Sequence, residues 1–150
     1  MSDISTAYDA VLTAATALFP NKTRIPNTLV IAQNAEQFLR DGYGLRVDAE
    51  SPALSEFCRF SRSRTFTIIL SREVIADEFD TGPMDTASKA LLEDVYVLQK
   101  DFMNQDQIAQ EQAIELIDMA GTSAILPLIG ERSSFVLIEV SFQIQITDDI

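Results

Sequence analysis

The segment from Ser134 to Thr147 alternates apolar and polar residues, and this alternation constrains the fold more than any other feature of the chain. Successive side chains of a β-strand point to opposite faces of a sheet, so the pattern predicts a long strand with one buried face. Residues 122–129 are predicted to form the preceding strand of a hairpin, with Gly130-Glu131 in the turn. Pro127 indicates that this strand bends or lies at a sheet edge. The apolar positions of the long strand are Val136, Ile138, Val140, Phe142, Ile144 and Ile146.

A second long strand is predicted at residues 57–74. One face of this strand is polar and basic in its first half and apolar in its second half. A strand with such a change along one face can leave the core and continue as a protruding arm. The residues on that face are Phe60, Arg62, Arg64, Phe66, Ile68, Leu70, Arg72 and Val74.

Shorter elements are predicted between the helix at the start of the chain and this strand. The apolar run at residues 28–33 predicts a short strand, and residues 45–49 predict another. Residues 34–40 fit one or two helical turns, after which Gly42-Tyr43-Gly44 is expected to interrupt the chain.

Apolar residues at helical spacing predict three helices. The first covers residues 3–18. The second runs from a cap at Asp85 or Thr86 to about Met103, and a weaker third helix at residues 106–119 is expected to end at Gly121. The predicted buried stripe of the second helix consists of Ala87, Leu91, Val95, Leu98 and Phe102.

Strands and helices thus come in blocks and do not alternate strictly. This order predicts a single α+β domain over residues 1–150, with a mainly antiparallel sheet, helices packed on one face, and a long protruding strand or hairpin. A chain of 150 residues has the ordinary length of one domain.

The composition excludes several kinds of chemistry. The chain has no histidine, which removes the commonest general base and most transition-metal sites. Cys58 is the single cysteine, so intrachain disulfides and cysteine-rich zinc sites are excluded. We expect no enzymatic activity, no cofactor and no metal, because these exclusions favour a binding or assembly role.

Net charge and hydropathy narrow the choice of partners. The chain has 11 basic and 23 acidic residues, for a net charge of −12, which opposes binding to nucleic acid phosphates and anionic lipid. No apolar run is long enough to span a membrane, and residues 1–6 do not form a signal peptide, so no membrane partner is expected.

Charge is strongly segregated along the sequence. Residues 59–72 hold four arginines and no acid, whereas residues 73–118 carry a net charge of −10. We predict that the arginines contact another chain, because a basic segment and an acidic segment on identical subunits allow head-to-tail contacts that close into rings. The alternative is a solvated strand face that is balanced by acids of the same subunit. The arginines are Arg59, Arg62, Arg64 and Arg72.

Acidic residues around the start of the second predicted helix are expected to form the opposing surface. A calcium site is the alternative, but the EF-hand spacing fails because Phe79 and Ser88 fall at ligand positions. Asp80-Thr81-Gly82 matches the catalytic tripeptide of retroviral-type proteases, but its flanks lack the apolar strand residues of such a site. The acidic residues are Asp77, Glu78, Asp80 and Asp85.

The element order and the closing strand resemble the tail terminator proteins of long-tailed bacteriophages, the lambda-like minor tail protein group. The resemblance covers nearly the whole chain at the level of pattern, and residues 34–56 are longer here than in that group. The segments that carry it are Ile4–Leu18, Thr28–Gln33, Phe57–Val74, Asp85–Met103 and the final SSFVLIEVSFQIQITDDI.

The resemblance implies a virion structural protein at the head-proximal end of the tail, assembled in the host cytoplasm. Six subunits would form a homohexameric ring on the tail tube protein, stop tube polymerisation, and present a docking surface to the head-tail connector protein. DNA would only pass through the lumen, and an acidic ring lets DNA slide without sticking.

Two other functions remain open from the sequence. The chain fits a head-completion or neck protein, or another minor tail protein, which also form rings from small domains. A small-ligand-binding α+β domain is the alternative of a different class, and a ligand-induced rise in melting temperature would support it.

Overall fold

A computed structural model describes residues 3–26, 36–52, 59–75, 82–103, 116–129 and 133–149. It has the predicted α+β architecture, with three helices and a six-stranded, mostly antiparallel sheet. The predicted strand at 28–33, the first part of the weak helix at 106–119 and the turn at 130–131 lie outside the described residues.

The elements follow one another as α1 (Asp3–Leu18), β1 (Thr23–Arg24), α2 (Glu36–Leu39), β2 (Asp41–Pro52), β3 (Arg59–Val74), α3 (Pro83–Met103), β4 (Leu116–Thr122), β5 (Leu126–Ile129) and β6 (Ser134–Asp149). The strand order is β1-β2-β3-β6-β4, and β5 also pairs with β6. Among the strand pairs of the described residues, only the short β1–β2 pair is parallel.

The two predicted long strands form the centre of the sheet. β3 and β6 pair without a break from Arg59 opposite Asp149 to Val74 opposite Ser134. The apolar face predicted for each strand is buried against α1 and α3, and the rings of Phe102 on α3 and Phe142 on β6 stack at 4.6 Å. Each large apolar side chain buried in this way stabilises the fold by about 1.5–3 kcal/mol.

The start of β3 is a central strand and not a lone arm. β2 pairs with it on one side as far as Pro52 opposite Arg62, and β6 pairs with it on the other. A 16-residue strand extends to about 50 Å, whereas a domain of this length is about 40 Å across. The other end of the sheet is buried up to Phe135. At the end that carries Arg59 and Asp149, the described pairing is between β3 and β6, and the protrusion of this end stays a prediction.

A second, smaller cluster covers part of the opposite face of the sheet. Its buried members are Ile25, Leu39 and Phe135. Gly42 allows the backbone of Phe38 in α2 to approach β2 closely, because a Cβ at position 42 would clash with the Phe38 carbonyl oxygen. The prediction that Gly42-Tyr43-Gly44 interrupts the chain was wrong, since the three residues lie within β2.

The region before β6 differs most from the sequence prediction. Residues 116–119 belong to β4 and not to a helix, and Gly121 does not end a helix but lies at an irregularity of β4 with φ of 147°. The strand predicted at 122–129 is divided between β4 and β5. At the division, Ser123 donates its backbone N–H to the Glu139 carbonyl, and its hydroxyl accepts the Glu139 N–H.

The start of α3 also differs from the prediction. The helix begins at Pro83, a residue that suits the first helical position because its missing N–H has no intrahelical partner there. Thr86 donates its backbone N–H to the Gly82 carbonyl at 3.0 Å. Neither Asp85 nor Thr86 is therefore the cap, and both lie inside the first helical turn.

Candidate interaction surface

Two of the three arginines at the start of β3 lie opposite acidic residues in the strand register. The strand register places Arg59 opposite Asp149 on β6 and Arg64 opposite Glu50 on β2. Opposite charges at directly facing positions of an antiparallel pair stabilise the sheet. The register thus places acidic residues opposite two of the arginines, and the intersubunit contact predicted for them stays a prediction.

Arg62 differs from its two neighbours in this respect. Pro52 and Ile146 occupy the positions directly opposite it on β2 and β6. Among the three arginines at this end of the sheet, Arg62 is therefore the residue whose register gives it no acidic residue directly opposite.

Arg72 lies far from the other three arginines and is held by α3. Its Nε and Nη2 donate to the two carboxylate oxygens of Asp94 at 2.9 and 3.0 Å. This hydrogen bond, more than any other influence, raises the pKa of the Arg72 guanidinium. An intersubunit contact was predicted for Arg72, whereas the structure gives Arg72 a partner within the chain.

Lys22 and Asp41 complete this ion network. The Lys22 ammonium lies 3.0 Å from Asp94, forms a short ion pair with Asp41, and sits 5.5 Å from the ring centre of Phe19. Only 5% of the Lys22 side chain is exposed. The two cations and two carboxylates of this network have no net charge. Their ion pairs join the segment after α1 to β2, β3 and α3.

Another charge pair, between Arg46 and Glu139, lies on the sheet face away from α1 and α3. Arg46 on β2 donates to both carboxylate oxygens of Glu139 on β6, at 2.9 and 3.3 Å. Beside it, the hydroxyls of Thr67 and Ser141 hydrogen-bond at 3.0 Å. This face thus carries polar side chains in its middle and the smaller apolar cluster at one end.

The predicted acidic surface is only partly described. Asp77, Glu78 and Asp80 lie outside the described residues, whereas Asp85 is exposed in the first turn of α3. The helix dipole stabilises a carboxylate at that place. Within the ranges that the structure describes, no three acidic or cysteine side chains gather as a metal site, and no helix is long and apolar enough to cross a membrane.

Exposed apolar residues are the surface feature that the sequence analysis missed. Leu92, Tyr96 and Val97 are exposed on α3, and Leu126 and Leu128 are exposed on β5. The signal was present, because the three α3 residues fall outside the stripe predicted to be buried. On the same helix, burial raises the pKa of the Asp101 carboxyl.

The comparisons with known proteins add no family to this description. No protein-family model matches the chain, and no curated protein matches it.

Proposed function

We propose that this chain is a virion structural protein, a tail terminator whose six copies form a ring on the tail tube of a long-tailed phage. In this role it stops tube polymerisation, presents a docking surface to the head-tail connector, and lets DNA pass through its lumen. It works by assembly and not by catalysis, at the head-proximal end of a tail built in the host cytoplasm.

The observation that carries this proposal is the exposure of groups of large apolar side chains on α3 and on β5 of a chain of net charge −12, in addition to the single exposed Ile75 after β3. Leu92 and Tyr96 are one helical turn apart, and Leu126 and Leu128 share one face of β5. Adjacent exposed apolar residues on an otherwise charged surface are typical of protein interfaces.

The fold supports the same proposal. The order of long strands and helices is that on which the resemblance to tail terminators rests. The β3–β6 pair continues to Arg59 opposite Asp149, past the last residue of β3 that pairs with β2. In a ring, this end of the pair would be available for contact with a neighbouring subunit or with the tube.

The test is whether the purified chain caps growing tubes. Tail tube protein from the same source is polymerised with and without the chain, and tube length is measured by electron microscopy. The proposal predicts short tubes of uniform length that carry a ring at one end. Tubes whose lengths are unchanged and whose ends lack a ring would contradict it.

A matched pair of charge reversals locates the tube contact. Arg62→Glu, near the start of β3, is expected to abolish capping while the melting temperature stays unchanged. Arg40→Glu is the control, because Arg40 is exposed and its ion pair with Glu73 is long, at 4.0 Å. Loss of capping in both variants, or in neither, would show that the start of β3 is not the specific contact.

A further inference from the structure

The first apolar patch lies on the outer face of α3. Leu92 and Tyr96, which are neighbours one helical turn apart, are 50% and 60% exposed, and Val97, on the other flank of this face, is 42% exposed. The opposite side of the helix is buried in the main core through Leu91, Val95 and other members of the predicted stripe. The outer-face patch therefore points away from the sheet, on the side of the helical layer.

The second apolar patch lies on β5 and points in the other direction. Leu126 and Leu128 are 49% and 44% exposed and pair directly with Leu137 and Phe135 of β6. Facing residues of an antiparallel pair project to the same side of the sheet. Phe135 and Leu137 belong to the smaller cluster on the face away from α1 and α3, so the β5 leucines project to that side as well.

We propose that the outer face of α3 in one copy docks on the β5 leucines of a second copy, so that subunits associate head to tail. The inference rests on the self-assembly proposed above and names the two surfaces that meet. The two patches point to opposite sides of the molecule. A two-fold contact uses the same surface of both copies, so it would cover one patch and leave the other exposed. A head-to-tail contact covers both patches with one repeated interface, and such an interface closes into a ring when the rotation allows it.

Local charge supports a second copy as the occupant. Copies with a net charge of −12 repel one another, so they can meet only where charge is low or balanced. Residues 119–130, which include β5, contain no charged residue. The exposed side of α3 carries Asp85 and Glu93 together with Lys89 and Lys100, and these four charges cancel.

Complementation between two variants tests this arrangement. One variant carries Leu92→Lys and Tyr96→Lys, and the other carries Leu126→Lys and Leu128→Lys. Both changes add the same sign of charge, so the altered patches cannot attract each other. Each variant alone is expected to be a 16.6 kDa monomer by native mass spectrometry. An equimolar mixture is expected to form a 1:1 heterodimer of twice that mass and nothing larger, because each partner keeps one intact patch.

The controls make every outcome decisive. Thr86→Lys, at an exposed position on the same helix, is expected to leave assembly unchanged. Alanine versions of both double variants are less disruptive, and they are expected to raise the concentration at half assembly at least tenfold. A β5 variant that still dimerises alone would show that α3 contacts itself, which overturns the inference. A mixture that stays monomeric while the unmodified chain forms rings overturns it too, but leaves the proposed function standing. An unmodified chain that is monomeric with and without tail tubes overturns both.

Discussion

Replacing Asp94 by asparagine removes the charge on which the ion network depends. The Asp94 carboxylate accepts two hydrogen bonds from Arg72 and lies 3.0 Å from the nearly buried Lys22 ammonium. Hydrogen bonds to charged groups contribute about 1.5–3 kcal/mol each, and breaking one partner out of a buried ion pair costs about 3–5 kcal/mol. Asparagine keeps one acceptor oxygen and Asp41 keeps its charge, so we expect the low end of that range.

The expected loss in the free energy of unfolding is therefore about 3 kcal/mol, measured by urea denaturation at neutral pH. For a chain of this length the same loss lowers the melting temperature by about 9 °C. Glu93→Gln is the matched control, because the neighbouring side chain is exposed on the same helix, and it is expected to change stability by less than about 0.5 kcal/mol.

A double-mutant cycle separates the Arg72 interaction from other effects of the substitution. Asp94→Asn combined with Arg72→Gln is expected to cost less than the sum of the two single changes, with a coupling of about 1.5–2 kcal/mol. If Asp94→Asn unfolds within about 0.5 kcal/mol of the unmodified chain, the network does not hold α3 to the sheet and the reasoning is refuted.

Three further predictions concern packing and pH. Gly42→Ala should lower the free energy of unfolding by about 1–3 kcal/mol, because its Cβ would meet a backbone carbonyl. Gly82→Ala is the control and should be nearly neutral, because the nearest neighbour of its Cβ would be 3.6 Å away. Equal effects of the two changes would contradict this prediction. Phe102→Ala should lose about 3–5 kcal/mol, and a loss below about 1 kcal/mol would show that its stacking on Phe142 is not part of a tight core. The raised pKa of Asp101 means that its contribution to stability is present below the ordinary value of 3.8 and is lost as pH rises through the raised value. Asp101→Asn should therefore gain stability relative to the unmodified chain as pH rises from about 3 to about 7, and a pH-independent difference would contradict this.

Periodic patterns made the main elements predictable. α1, β3, α3 and β6 carry long, regular apolar spacings, and each spacing reports which face is buried whatever the partner is. The weak helix at 106–119 failed at residues 116–119 because a short apolar run fits a strand as well as a helix. Gly121 was read as a helix terminator, whereas it serves an irregular strand pairing.

Contacts between distant residues were not predictable in the same way. Nothing local in the sequence indicates that Arg59 faces Asp149, or that Arg72 reaches Asp94, because both pairings follow from strand register and helix packing. The charge segregation along the chain does not reveal that the strand register places acids of β2 and β6 opposite Arg64 and Arg59, or that Asp94 of α3 binds Arg72. In the sequence, the exposed apolar residues of α3 could be recognised only because they fall outside the stripe predicted to be buried.

The central claim is that the chain assembles with itself through apolar surfaces, and its mass in solution tests this most directly. Native mass spectrometry and light scattering are carried out across a range of protein concentrations at low and high salt. We expect a species of six times 16.6 kDa that persists at high salt, because salt screens exposed charges and does not weaken contacts between apolar surfaces. A 16.6 kDa monomer at every concentration and at both salt levels, with and without tail tubes, would contradict self-assembly.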